Sequence, residues 1–266
     1  MPFISNLYRR LLQLTQAFRP IGSMTSLRVA GSLLTLLACL APLQQVNAQS
    51  FCASDGLPRP LVLMERFINA DCEVCWQDPT TPKAGDQYAV LDWVVPNDAG
   101  HKSDDAPLSA VASRDGLARL KALGKSVPRD TVTSLKTVAG LNVLKGATLR
   151  VAHGLPLSGY LGTSIELKPI PHPTQKQRWT AWLALIETVP AGTEGTPVAR
   201  NLVRNAFQVV WNSAQKLSAT DQNRFFDTRS MSISQGVNPD HLRVVGWVED
   251  AKGQVLAAAQ SRCVRE

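Results

Sequence analysis

Cys72 and Cys75 close the stretch LVLMERFINADCEVCW, Leu61 to Trp76, with two residues between them. At this spacing one thiolate can attack a partner disulfide, and the other can resolve the mixed disulfide that forms. The attacker is ordinarily an exposed cysteine at a helix start, where its pKa is lowered. That assigns Cys72 as nucleophile and Cys75 as resolver. Asp71 and Glu73 flank Cys72, and nearby negative charge disfavours a thiolate. An active couple is therefore expected to be reducing or weakly oxidising. The competing reading is a local disulfide that staples a loop and never turns over; the residues leave the two level. A cysteine pair also supplies two zinc ligands, but no second pair follows. His101, His153, His172 and His241 stand alone in the sequence. No metal and no cofactor is expected.

Cysteine chemistry depends on compartment, and residues 1–48 bear on that. Arg9, Arg10, Arg19 and Arg28 are basic, and no acidic residue precedes Asp55. Val29 to Leu43 is mostly apolar, and Val46-Asn47-Ala48 supplies a small-residue cleavage pattern. These features read as a secretory signal peptide over 1–48, cut after Ala48. The apolar part is short of the ~20 residues of a transmembrane helix. Met24 opens a signal of more ordinary length, so either Met1 or Met24 can be the start. The alternative is a lipoprotein anchored through Cys39, in Leu36-Leu37-Ala38-Cys39. The expected location is periplasmic or secreted, with no membrane span after cleavage.

Export changes the charge reading. The chain carries 28 basic and 21 acidic residues, a net charge of +7. Losing the four early arginines leaves 24 basic residues and a net charge of +3. No basic run with interleaved aromatics remains, so nucleic acid is not an expected partner. Four cysteines remain after Cys39, and four allow three connectivities. Spacing favours Cys72 with Cys75 and Cys52 with Cys263 as a structural bond. The other possibility is that Cys52 or Cys263 resolves the first pair.

The elements that must hold these cysteines follow from pattern. Leu61 to Ile68 reads as a strand, and its near-continuous apolar run suits burial on both faces. Pro79, Pro82 and Gly85 then leave room for a helical turn or two at most after Cys72. Gln87 to Val95 is a second strand. Pro107 to Leu123 is an amphipathic helix, with Pro107 in its first turn and Gly124 at its end. Beyond Gly146 the pattern turns to strands. Ala147 to His153 and Gly159 to Leu167 pair around a turn, and Trp179 to Val189 is strongly extended. His241 to Val248 and Gln254 to Gln260 form a hairpin in which Gly253 takes a positive φ. Asp92 beside Trp93 either lines a pocket near the cysteines or is an ordinary solvated carboxylate. Trp179, Trp182, Trp211 and Trp247 are expected to fill a β core. No Gly-x-Ser-x-Gly and no phosphate-cradling glycine loop is present.

The stretches LVLMERFINADCEVC, AVLDW, SAVASRDGLARL, NLVRNAFQVVW and LRVVGWVEDAKGQVLAAAQ, in this order, resemble an uncharacterised family of exported bacterial thioredoxin-like proteins. The resemblance spans most of the chain after the signal. It implies a thioredoxin-like N-terminal half and export, and brings no established activity. The sequence departs from that pattern at Gly146 to Gly154, which lacks the proline that faces the redox pair in such folds, and at the prolines after Cys75. The expected fold class is α+β: a thioredoxin-like α/β region over 49–146, then a β-sandwich-like region over 147–266. The expected function is thiol–disulfide exchange through Cys72 and Cys75 on exported proteins with thiols or disulfides. The alternative is a non-catalytic envelope-binding protein whose disulfides are structural.

Overall fold

The structure is a computed structural model that describes residues 52–60, 62–80, 82–96, 110–139, 144, 146–171, 177–193, 195–212 and 223–263. The signal segment, Cys39, His101, His172 and the start of the helix expected from Pro107 lie outside them. The first elements are β1 (Cys52–Ala53), β2 (Val62–Asn69), α1 (Glu73–Gln77), β3 (Tyr88–Val95) and α2 (Ala110–Ala122). Next come β4 (Thr133–Val138), β5 (Thr148–His153), β6 (Tyr160–Lys168), β7 (Arg178–Val189) and β8 (Arg200–Asn212). The last are β9 (Phe225–Ser232), β10 (Leu242–Glu249), β11 (Val255–Gln260) and β12 (Arg262–Cys263).

These strands make a five-stranded sheet, β12-β1-β5-β6-β9, and a seven-stranded sheet, β11-β10-β7-β8-β3-β2-β4. Alternation along β7 shows how the layers stack, because successive side chains point to opposite faces. Trp179, Ala181, Leu183 and Leu185 share one core with Leu149, Val151, Leu161 and Ile165 of the smaller sheet. Trp182, Ala184 and Ile186 share another with Leu120 of α2, Leu63, Phe67 and Trp93. The large sheet is thus covered by the small sheet on one side and by α2 on the other.

The expected α+β class, with a thioredoxin-like N-terminal region, is overturned: the described residues form two large sheets and two α-helices. Two physical reasons stand out. Pro79 lies just beyond α1, which is held to five residues, so the link between parallel β2 and β3 supplies no helical layer. The apolar run in β2 is buried on both faces, as its composition required, but by other means. Leu63 and Phe67 pack on the α2 side, whereas Ile68 is covered by Cys72 and Cys75. In addition, β3 pairs in parallel with β8 through Asp92 and Leu202, so strands from both sides of residue 146 share one sheet.

The two sheets pack tightly at Gly246 in β10. A Cβ there would sit 2.5 Å from Val151 Cγ1 and 3.0 Å from Ile165 Cδ1. Both neighbours are fully buried and cannot swing into solvent. Gly246→Ala is therefore expected to destabilise the fold by about 1–3 kcal/mol through overpacking. Urea unfolding checks this; an unchanged midpoint would show that the sheets separate freely. Gly253 in the β10–β11 turn has φ +77°, the value its position in the hairpin asked for.

Candidate functional site

The Cys72–Cys75 turn is built at the carboxyl end of β2. Asn69, the last residue of that strand, anchors it: its Nδ2 donates to Pro128 O at 2.9 Å, and its Oδ1 accepts the Asp71 N–H at 2.8 Å. The Cys72 N–H then donates to Asn69 O, and Cys72 O accepts the N–H groups of Cys75 and Trp76. Cys72 is the N-cap of α1, without a side-chain cap bond. The two cysteines form a disulfide with their Cα atoms 5.3 Å apart.

Exposure sorts the turn into two faces. Asp71, Glu73 and Val74 point to solvent. Cys72 is 7 % exposed and Cys75 5 %, and both pack inward against Ile68 and Val132. The nucleophile expected at an exposed helix start is thus buried. A five-residue helix also supplies little dipole to stabilise a thiolate.

Arg200, at the start of β8, braces the same turn from beneath. It is fully buried, and its Nη2 donates to the backbone carbonyls of Cys75, Trp76 and Asp78. Its Nε donates to Thr196 Oγ1 at 3.0 Å, and its guanidinium lies over the Trp76 ring at 5.4 Å. Burial pushes its pKa down, and Asp92 and Asp78 work against that. Asp92 itself is fully buried in β3, so it neither lines a pocket nor faces solvent. It accepts the Asn201 N–H at 2.7 Å and lies 3.4 Å from Arg66 Nη1. Burial raises its pKa, opposed first by Arg66 and then by the Asn201 N–H. Arg243 is close enough to feel the Asp92 charge, and burial lowers its pKa to about 10. Arg200, which holds the turn from beneath, thus belongs to an ionic group in which Arg66, Arg200 and Arg243 all act on Asp92.

Cys52 and Cys263 lie elsewhere, in the small sheet. They are directly paired across β1 and β12 and joined by a disulfide, with Cα atoms 4.0 Å apart and a sequence separation of 211. On the other side of β1, Cys52 is paired with His153 of β5. The structure thus brings together each of the two cysteine pairs but keeps them apart, Cys52 and Cys263 in the small sheet and Cys72 and Cys75 in the α1 turn beyond β2.

No protein family matches this sequence, and no curated protein does. Among solved structures, the chain is similar to HBP35 of Porphyromonas gingivalis. The two share 11 % identity at a TM-score of 0.44, over 77 % of this chain and 76 % of that one. At that level the neighbour assigns neither fold nor activity here.

Two features had no local signal in the sequence. Arg200 lies 125 positions from Cys75 and is brought beneath it only by sheet pairing. The second is a buried ionic knot, in which Arg119 of α2 meets Glu65 of β2 and Glu249 of β10. Of the four tryptophans, Trp182 stacks on Trp247 and Trp211 on Phe225, inside the two cores. A cleft of about 740 Å³ opens against β5 and β6, with Asp55, Arg59, Arg150, Glu166 and Lys168 on its walls.

Proposed function

We propose that this is an exported, non-catalytic binding protein whose disulfides brace a two-sheet β fold. One observation carries the reading. The Cys72–Cys75 sulfurs are turned inward, on residues less than 10 % exposed, and Arg200 ties the turn's carbonyls to β8. Thiol–disulfide exchange requires an incoming thiolate to reach a sulfur in line with the bond it breaks. An inward-facing, braced disulfide resists that approach. Two disulfides suit an oxidising compartment. Among the described residues no helix is long and apolar enough to cross a membrane. The charged cleft against β5 and β6 is the surface this reading assigns to a partner.

One magnitude favours a second reading, exchange through Cys72 and Cys75 on exported proteins. On the chain-entropy model a bond closing so short a loop stabilises by only about 2 kcal/mol, against about 5 kcal/mol for Cys52–Cys263. As a brace, the short bond contributes little. The two readings separate in one experiment. Under the first, Cys72→Ser with Cys75→Ser lowers stability by about 2 kcal/mol, and the wild-type chain reduces a disulfide substrate no faster than the variant. Multiple turnovers by the wild type, lost in Cys72→Ser alone, would establish exchange and discard the bracing role.

A further inference from the structure

The pairing of three neighbouring strands places Cys263, Cys52 and His153 in a row. Cys52 is the direct partner of Cys263 on β12 and of His153 on β5, so the three side chains share one face of the small sheet. The two sulfurs and an imidazole nitrogen all lie within 4.8 Å of one another. His153 is 5 % exposed. Its Nδ1 lies 2.9 Å from Gly154 O, and a carbonyl partner requires that nitrogen to carry the proton. Nε2 is then a bare lone pair, and it has no hydrogen-bond partner although it is buried. A buried nitrogen acceptor without a donor is costly to keep. Nothing in the disulfide can donate to it.

We propose that Cys52, Cys263 and His153, once the Cys52–Cys263 bond is reduced, hold one thiophilic divalent metal ion of the zinc class. The donor set is two thiolates and one imidazole, which suits zinc, with water as the fourth ligand. Ligand atoms around a tetrahedral zinc stand roughly 3.5–3.8 Å apart, so the sulfurs, bonded to each other in the disulfide, must separate once reduced, while the imidazole, already within 4.8 Å of them, needs at most a small approach. Gly154 O fixes the ring tautomer, the role a carbonyl plays behind a metal-bound histidine. Half-buried Cys263, on a two-residue edge strand, gives the ion its way in.

The site and the disulfide exclude each other. An incoming dithiol donates two electrons and two protons, breaks the S–S bond, leaves two thiols and departs as its own disulfide. The metal ion then replaces the two thiol protons, which go to solvent. Run backwards, a disulfide oxidant takes two electrons from the bound thiolates, leaves as two thiols with two protons from solvent, and the closing S–S bond expels the ion. The chain emerges from synthesis with its cysteines reduced, so it meets the metal-binding state before the disulfide.

The test uses the full chain carrying Cys39→Ser, Cys72→Ser and Cys75→Ser, so that Cys52 and Cys263 are the remaining cysteines. After reduction, titration with cobalt(II) should give one ion per chain, with thiolate-to-cobalt charge-transfer absorption that zinc(II) abolishes. His153→Gln should weaken cobalt binding at least tenfold while far-ultraviolet circular dichroism stays that of a β protein. The oxidised chain should show no such absorption. The proposal is overturned by equal cobalt affinity in His153→Gln, by absence of the charge-transfer band, or by loss of the β signature on reduction. Cys263→Ser is an independent check, and it should halve the band.

Discussion

Arg119→Met is expected to lower stability by about 3–5 kcal/mol, the range for removing one partner from a buried ion pair. The reason lies in what the arginine leaves behind. Its Nη2 and Nε donate to Glu65 at 2.7 and 2.9 Å, and its Nη1 donates to Glu249 Oε2 at 3.0 Å. Both glutamates are buried. Burial opposes the arginine's charge, but Glu65 and Glu249 outweigh it and hold its pKa above the usual arginine value. Trp93 Nε1 also donates to Glu65, and Trp182 and Trp247 both donate to Glu249. Without the cation, two negative charges remain enclosed with indole N–H groups for company. The guanidinium also lies over the rings of Trp182 and Trp247, at 4.8 and 5.4 Å, and that attraction is lost too. Chemical unfolding measures the loss. Adding Glu65→Gln and Glu249→Gln to Arg119→Met should recover part of it, because the penalty is mostly uncompensated charge. No recovery would show that the arginine's packing volume, rather than its charge, carries the effect.

Removing the long disulfide, with Cys52→Ala and Cys263→Ala together, is expected to lower stability by about 5 kcal/mol. The size follows from the sequence separation of 211 between the cysteines, because the entropy lost on closing a loop grows with its length. The contrast with Cys72–Cys75 is the useful control. Cys72–Cys75 is buried and Cys52–Cys263 is half-buried at Cys263, yet the entropy model makes the long bond worth more than twice the short one. Denaturant midpoints of the two double variants, compared with the oxidised wild type, test the ratio. A loss under about 1 kcal/mol for Cys52–Cys263 would mean that β1 and β12 stay docked in the unfolded ensemble, or that the entropic account fails here.

Much of the secondary structure was legible because it rests on local chemistry. The apolar run before Cys72, the double-faced apolar pattern of Trp179 to Val189 and the turn at Gly253 each became a strand or hairpin. The prolines after Cys75 showed that a long helix could not follow, and α1 is indeed five residues. The fold class was misread at that same place. A strand ending in Cys-x-x-Cys suggested a helical layer, although the prolines had removed the residues that would form one. The small sheet and α2 cover the large sheet instead. The site was legible only as cysteines. Burial of Cys72 depends on Val132, 60 positions away, and the Arg200 brace and the neighbourhood of His153 depend on pairings between residues more than 100 positions apart. No local pattern encodes such distances. His153 stood alone in the sequence because Cys52 is its neighbour across a sheet, not along the chain.

The Cys52–Cys263 bond also decides how the protein bears mechanical load. A pull applied through the chain before residue 52 and after residue 263 enters and leaves at Cα atoms 4.0 Å apart. The force crosses one covalent bond and bypasses both sheets, so everything between the two cysteines is shielded from tension. Reduction removes the bypass. Tension then falls first on two-residue β1 and β12, which are too short to hold many ladder hydrogen bonds. The same bond thus acts as a mechanical fuse, and its redox state sets whether a tug at the ends is felt by the fold.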